Sequence, residues 1–356
     1  MANFEEKMKE KFEKLKAQEN VLILSVESSC DETAIAIVKN GREVLANVVS
    51  SQIEIHRRFG GVVPEVASRN HILAISNLYE EALKIAKVKQ EEIDAIAVTY
   101  GAGLMGALLV GVNFAKGLAY SIKVPLIAVS HIHGHIAANY ISHEELVPPF
   151  VCLMVSGGHT AILQVDDYTK ISLVGTTVDD AVGEAFDKVA RVLDLPYPGG
   201  PEIDKLAKNG KNNIKFTVSN SLKDSENFSF SGIKTAVINY LHNKEQKGED
   251  ICKEDIARSF EEVVTDELVT KTLKAVETSG LGKLVIAGGV GANSMLQEKF
   301  KKEGEKRGIK VYYPLLKYCT DNASMIGSAG YYYLKNDKGL APLSLSAKPT
   351  VKLDIQ

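Results

Sequence analysis

The feature that most constrains this chain is a strand–turn–strand segment that occurs twice. VLILSVESSCDETAIAIV near the start and FVCLMVSGGHTAILQV much later each pass from an apolar strand through a small polar turn into a second apolar strand. Both resume after the turn with Thr-Ala-Ile, at Thr33-Ala34-Ile35 and at Thr160-Ala161-Ile162. An apolar run, a turn of Gly, Ser and Asp, and another apolar run is a hairpin signature. Backbone N–H groups exposed in such a turn can form an anion-binding nest. One hairpin of this kind says little, because many surface hairpins carry Gly and Ser at the tip. Two matching copies predict a duplicated lobe with a cleft between the copies.

The rest of the chain alternates strand and helix, which implies α/β layers. EVASRNHILAISNLYEEALKIAK has apolar residues at Val66, Ile72, Leu73, Ile75, Leu78, Ala82, Leu83 and Ile85, the spacing of an amphipathic helix. IDAIAVTYGAGLMGALLVGVNFAKGLAYSI gives strand, Gly-rich turn and helix, and VPLIAVS is a strand leading straight into HIHGHIAANYI. Further on, EDIARSFEEVVTDELVTKTLKAVETS is a long helix, and KLVIAGGVGANSMLQEKFKKEGEKRG repeats strand, Gly-rich turn and helix. A chain of 356 residues exceeds one ordinary core. The expected plan is a charged extension over 1–20, a first lobe over 21–148 and a second over 149–320, the boundary lying near Pro148-Pro149. A polar insertion falls near 209–249, a final helix over 321–345 packs back on the first lobe, and 346–356 form a tail.

No apolar stretch approaches the roughly 18 uncharged residues of a membrane span. The first twenty residues are dense in Lys and Glu, without the apolar core of an export signal. They are expected to form a short amphipathic helix, with Phe4, Met8, Phe12 and Leu15 at helical spacing, or a frayed end. Cys30, Cys152, Cys252 and Cys319 lie far apart and read as reduced thiols, so a cytoplasmic location is expected. The net charge of −3 argues against non-specific coating of nucleic acid and leaves open a local basic patch. Arg57, Arg58, Lys170 and Lys234 are candidates for one, with a solvated surface as the plainer role.

The strongest local feature is His131-Ile132-His133-Gly134-His135. Residues four apart on a helix are neighbours, so His131 and His135 can share a metal while His133 points elsewhere. Imidazole suits zinc and ferrous iron, and such sites usually add a carboxylate. Capping or surface histidines would give the same pattern. Asp321, where a strand meets the last helix, is the candidate third ligand, although from position alone a helix N-cap is the preferred reading. Ser156-Gly157-Gly158 can bring backbone N–H groups to a phosphate. Gly288 to Asn293 follows a strand and opens a helix, where α/β folds place nucleotides. Pro198-Gly199-Gly200-Pro201 reads equally as a rigid turn. Asp180, Glu184 and Asp187 fall on one helical face beside Asp179. Glu27, inside an otherwise apolar strand, needs a partner or a function.

Taken together, these segments resemble the universal tRNA threonylcarbamoyl transferase family, the TsaD/Gcp/Kae group. The match is carried by ESSCDETA (Glu27 to Ala34), GGVVPEVASRNH (Gly60 to His71) and GLMGALLVG (Gly103 to Gly111). It continues through HIHGH, VSGGHT, DDAVGEAFDKVAR, PYPGGP, FSFSGIKTA, IAGGVGAN and TDNASMIG, from about Val21 to Tyr333. The unbroken GGVVPEVASR is like the bacterial branch. The resemblance implies a duplicated actin/Hsp70/sugar-kinase-like (ASKHA) α/β fold with two lobes and a central nucleotide cleft. It implies transfer of a threonylcarbamoyl group from threonylcarbamoyl-AMP to the adenosine beside the anticodon, in tRNAs reading codons that start with A. It implies one divalent metal per subunit on His131, His135 and Asp321, iron(II) favoured and zinc(II) the alternative. Met154, Val155, Ser156, Gly157, Gly158, Asp187, Gly200 and Asn293 match positions contacting the activated substrate. The expected partners are tRNA, a shorter TsaB-like paralogue and a TsaE-like P-loop ATPase.

Three rivals differ in what they predict. A metallopeptidase of the HExxH type needs Glu directly after the first His, where this chain has Ile132. A small-molecule kinase or ATPase on the same fold predicts ATP turnover with no need for His131. A non-catalytic scaffold predicts full function without His131 and His135.

Overall fold

Both repeated segments fold as antiparallel hairpins in the computed structural model, which describes residues 2–217 and 222–353. Parts of the expected insertion near 209–249 and of the tail over 346–356 therefore lie outside the described residues. In the first hairpin β1 (Leu22–Glu27) pairs with β2 (Glu32–Lys39), Glu27 facing Ala34. In the second β6 (Phe150–Val155) pairs with β7 (Thr160–Asp167), Val155 facing Thr160. On one side these pairs continue to β3 (Glu43–Ser51) and β8 (Lys170–Thr176). On the other side the first hairpin continues in parallel to β4 (Ala95–Gly101) and β5 (Leu126–Ser130), and the second to β9 (Lys283–Ala287) and β10 (Lys310–Tyr312). The order β3-β2-β1-β4-β5 thus recurs as β8-β7-β6-β9-β10, and a short β11 (Leu340–Ala341) adds to the first sheet only. Central strands covered on both faces read as near-continuous apolar runs, and β6 (FVCLMV) is buried along its whole length.

Each sheet belongs to its own compact unit. Unit 1 is Met1–Pro148, Asp166–Ile171 and Pro314–Gln356; unit 2 is Pro149–Val165 and Ser172–Tyr313. The expectation of one continuous second lobe ending at 320 differs from this in two places. Residues Asp166–Ile171 return to unit 1 because Tyr168 stacks on Tyr332, with ring centroids 3.9 Å apart and planes 2° apart, and meets Tyr140 edge-on. The chain also re-enters unit 1 at Pro314, where Leu315 N donates to Ser142 Oγ (3.0 Å).

The N-terminal residues form a helix, α1 (Ala2–Ala17), that buries Met8, Phe12 and Leu15. Lys335 Nζ donates to the carbonyls of Leu15, Lys16 and Gln18, a cation at the helix C-terminus. After the short α2 (Ile53–Arg57), helix α3 (Pro64–Ala86) starts on Pro64 and buries Ala67, His71, Ile75, Leu78 and Ala82 at spacings of three and four. Helix α4 (Met105–Ile122) is long and apolar enough to cross a membrane by length and composition, against the expectation that no stretch qualifies. Its buried residues Ala107, Leu108, Gly111, Val112, Ala115 and Ala119 lie on one face, the pattern of a helix laid on a sheet.

Helix α5 (His131–Ser142) follows β5 without a linker, and the last long helix, α11 (Ala323–Lys335), packs on α5 and on β1. The approach is close. A Cβ on Gly134 would come within 2.6 Å of Ile326 Cδ1, and one on Gly327 within 2.7 Å of Val38 Cγ2. Those contacts bring the start of α11 beside the start of α5. Unit 2 carries α6 (Val182–Val192), α7 (Gly199–Ala207), α8 (Ser231–Lys247), α9 (Lys253–Ser279) and α10 (Ser294–Arg307) around a separate core that includes Phe186, Phe228, Phe230, Phe260 and Phe300.

Candidate functional site

In unit 1, His131 and His135 stand one turn apart at the start of α5, and their Nε2 atoms face each other at 3.1 Å. Asp321 Oδ1 lies 3.4 Å from His131 Nε2 and 3.2 Å from His135 Nε2. The capping alternative for Asp321 is settled by its neighbour. Asn322 is the N-cap of α11, its side chain accepting from Met325 N (3.1 Å), which leaves the Asp321 carboxylate to face the imidazoles. Two atoms each about 2.0–2.1 Å from a tetrahedral or octahedral ion lie about 3.0–3.4 Å apart, so all three separations suit a shared cation. His131, His135 and Asp321 form a group that can hold a metal ion.

The oddity of Glu27 finds its reason here. Its carboxylate is fully buried, with Oε2 3.1 Å from His131 Nδ1, and that Nδ1 also lies 3.1 Å from Ser29 Oγ. Ser29 N donates to Glu27 Oε1 (2.5 Å) and Thr99 Oγ1 to Oε2 (2.6 Å). A carboxylate on one ring nitrogen fixes the imidazole tautomer and turns the other nitrogen toward the metal position. Thr99 and Ser29 were not singled out by the sequence reading. Their signal was faint: a hydroxyl within the apolar strand β4, and one small residue of a polar turn. His135 has no such buttress, since its buried Nδ1 has no hydrogen-bond partner.

Burial and mutual charge set the electrostatics of the cluster. Burial works against charge on Asp321, yet His131 and His135 hold its pKa well below the carboxylate range. Burial likewise opposes charge on His131, but Asp321 and Glu27 carry its pKa well above that of a free imidazole. Glu32, in the turn side of β2, is pushed up to about 10 by burial first, then by Asp321 and Asp31. Burial and the neighbouring carboxylates both act to keep it neutral. His133 takes no part. It is buried against Tyr333 Oη (2.5 Å from Nδ1), and burial lowers its pKa to about 4.

Unit 2 holds the residues matched to substrate contacts. Met154 and Val155 are fully buried in β6, so only the turn beyond them is open. Ser156 N donates to His159 O (2.9 Å) and His159 N to Ser156 Oγ (3.2 Å), while exposed Gly157 and Gly158 make no such bond among the described residues. The turn is walled by two glycines. A Cβ on Gly183, in the first turn of α6, would meet Ser156 O at 2.6 Å, and one on Gly288 would meet Val155 O at 2.4 Å. Free amides over a backbone floor beside a helix N-terminus can receive a phosphate.

Asp187 Oδ1 accepts from Gly199 N (2.7 Å) and so ties α6 to the turn opening α7, where Gly200 leaves open space. Asn293 caps α10 through Leu296 N (2.9 Å), and its Nδ2 donates to Glu261 Oε1 (2.5 Å), so both ends of the amide are engaged within unit 2. The acidic face expected of Asp180, Glu184 and Asp187 does not form as a free face. Asp180 precedes α6, and Asp180 and Glu184 both pair with Lys188, each at 2.7 Å. Asp179 instead accepts from Ser229 Oγ, Phe230 N and Ser231 Oγ at the start of α8. Among the basic candidates, Arg57 pairs with Glu54 (2.7 Å) and Lys170 with Asp166 (3.9 Å).

Comparison with known proteins adds what geometry alone does not give. The family model for TsaD, tRNA N6-adenosine threonylcarbamoyltransferase, matches residues 43–328. A Clostridium perfringens protein of that name is 58% identical over 333 residues, which cover 93% of this chain and 98% of the relative. Among solved structures, HypF from T. kodakarensis superposes with a TM-score of 0.64 at 15% identity, covering 90% of this chain and 49% of that one. Component A of the Acidaminococcus fermentans (R)-2-hydroxyglutaryl-CoA dehydratase gives a TM-score of 0.53 at 17% identity, covering 89% and 100%. These likenesses identify the fold as the two-lobed ASKHA-like one. The extent of the family match and of the sequence identity settles membership: the chain belongs to the TsaD family of tRNA N6-adenosine threonylcarbamoyltransferases.

Proposed function

We propose that this acyltransferase takes its threonylcarbamoyl group from threonylcarbamoyl-AMP and uses one divalent metal ion held by His131, His135 and Asp321. The observation that carries this reading is the convergence of two imidazole nitrogens and one carboxylate oxygen at 3.1–3.4 Å. Iron(II) is favoured and zinc(II) is the alternative, since two imidazoles and a carboxylate suit either. When bound, the ion supplies Lewis acidity toward a carbonyl oxygen and a fixed point for the acyl group. Glu27 holds His131 in the tautomer that presents Nε2. In unit 2 the Gly157 and Gly158 amides receive phosphate, and Asp187, Gly200 and Asn293 shape the pocket for the nucleoside.

The adenosine amine forms a new N–C bond to the acyl carbon and gives up one N–H proton to solvent, the C–O bond to phosphate breaks, and AMP leaves with the electron pair. The mixed anhydride brings its own leaving group, so no covalent enzyme intermediate is needed. Positioning alone can supply about 7–11 kcal/mol of such a barrier. The acceptor assigned here is the adenosine beside the anticodon of tRNAs reading codons that start with A, and the setting is cytoplasmic. The helpers assigned are a shorter TsaB-like paralogue and a TsaE-like P-loop ATPase. Exposed Ile72 and Leu73 on α3, with Met105 and Leu109 on α4, offer an apolar surface suited to a partner.

The test is a transfer assay with purified threonylcarbamoyl-AMP and unmodified tRNA, comparing the wild type with His135→Ala. The variant is expected to lose about a thousandfold in rate, the scale of a lost metal contribution. Equal product from both proteins removes the metal mechanism. ATP hydrolysis with no modified tRNA would favour the kinase reading.

A further inference from the structure

A carboxyl pair lies beneath the end of the Gly288–Asn293 turn in unit 2, and the transfer chemistry makes no use of it. Glu261, on α9, is 1% exposed. Its Oε1 accepts from Asn293 Nδ2 (2.5 Å), and the Asp204 carboxylate on α7 is a neighbour whose charge acts on it. Asp204 Oδ1 in turn accepts from Ser294 N (3.1 Å) and Ser294 Oγ (2.5 Å). Three helices, α7, α9 and α10, are thus stitched together at Asn293-Ser294 by two neighbouring carboxyl groups. Burial of Glu261 beside another carboxylate disfavours its charged form.

Of the nearby cations, one pairs with Asp204 and two with other carboxylates. Lys208 pairs with Asp204 Oδ2 (3.3 Å), Arg258 with Glu262 (3.0 Å), and Lys299 with Glu262 (2.8 Å) and Asp266 (2.6 Å). Among the described residues, no cation forms an ion pair with Glu261. We propose that Glu261 is a positioning residue for the nucleotide: in its neutral form it donates to Asp204 and accepts from Asn293, locking the turn and α7 together. This rests on the reading of unit 2 as the nucleotide-binding unit. Burial first, with Asp204 adding to it, pushes Glu261 up to about 7, against the pull of Asn293 and Arg258. The folded value stands above the ordinary one of 4.5. The protonated form is therefore favoured by folding, and its stabilisation is lost as pH rises through about 7.

The test compares the wild type with Glu261→Gln, which keeps one donor and one acceptor and cannot ionise. AMP affinity and apo thermal stability are measured for both at pH 6.0 and about 8.5. If only the protonated pair binds, wild-type affinity falls by up to about thirtyfold relative to the variant across that range. Titration of the AMP phosphate is common to both proteins and cancels in their ratio. The melting temperature of the variant, relative to wild type, is expected to rise over the same interval. A ratio of affinities that stays constant with pH overturns the positioning role. If wild type binds no AMP at either pH, the nucleotide reading fails. The apo melting comparison then decides separately whether Glu261 holds its proton, and a flat difference overturns it.

Discussion

The turns of the two hairpins, residues 28–31 in unit 1 and 156–159 in unit 2, close the same strand pair at the same place in matching sheets. Their surroundings differ completely. In the first, Ser28, Ser29 and Asp31 are buried and the turn is bonded on every side. Leu104 N donates to Ser29 O (2.8 Å), Gln52 N to Asp31 O (3.0 Å), and His71 Nε2 meets Cys30 O at 3.0 Å. Ser28 Oγ donates to Ala107 O (2.9 Å). In the second turn Gly157 and Gly158 are exposed, with nothing within 4 Å of a Cβ placed on either. A repeated hairpin therefore specifies where a turn will be, and the neighbours decide its use. Filled by α3 and α4, the first turn buttresses Glu27 and, through it, His131. Left open, the second is the turn proposed above to offer its amides to an anion.

That contrast can be broken most severely at Gly103. Its φ is +154°, and a Cβ there would lie 2.5 Å from Ser29 O, a backbone atom that cannot swing away. Gly103→Ala should cost about 3 kcal/mol of stability, measured by denaturant unfolding. A loss below about 1 kcal/mol would show that the first turn can yield. Glu27→Gln ranks next. It keeps the shape of the buttress but weakens its charge on His131, and metal affinity by chelator competition should fall about ten- to hundredfold. Unchanged affinity would mean the buried carboxylate only balances charge. Gly158→Ala should have the smallest effect on the fold, within about 0.5 kcal/mol, because the added methyl group meets only open space. It should weaken AMP binding severalfold by crowding the amides, and a large loss of stability instead would show the second turn to be as tightly packed as the first.

Much of this was legible in the residues. The Thr-Ala-Ile echo marked the duplicated hairpins, because a strand's burial pattern and a turn's small residues are local properties. His131 and His135 were legible for the same reason, since one helical turn fixes their distance. The carboxylate was not, because Asp321 reaches them only through the packing of α11 on α5. Its adjacency to a helix start favoured the cap reading on position alone; the family resemblance pointed to a ligand, and Asn322 is the residue that fills the cap. The return of Asp166–Ile171 to unit 1 hangs on the Tyr168–Tyr332 stack, a long-range contact with no signature in spacing. Glu27 was visible as an anomaly, a charge in an apolar strand, but only the fold named its partner. The acidic residues around α6 misled because Lys188, within the same helix, takes up two of them.

The account depends on the division of labour between the two turns, and backbone amide shifts test it most directly. With ¹⁵N-labelled protein titrated with AMP, the Gly157 and Gly158 amides are predicted to move while those of Ser29, Cys30 and Asp31 stay fixed. Shifts confined to the first turn, with the glycine pair unmoved at saturating AMP, would contradict it.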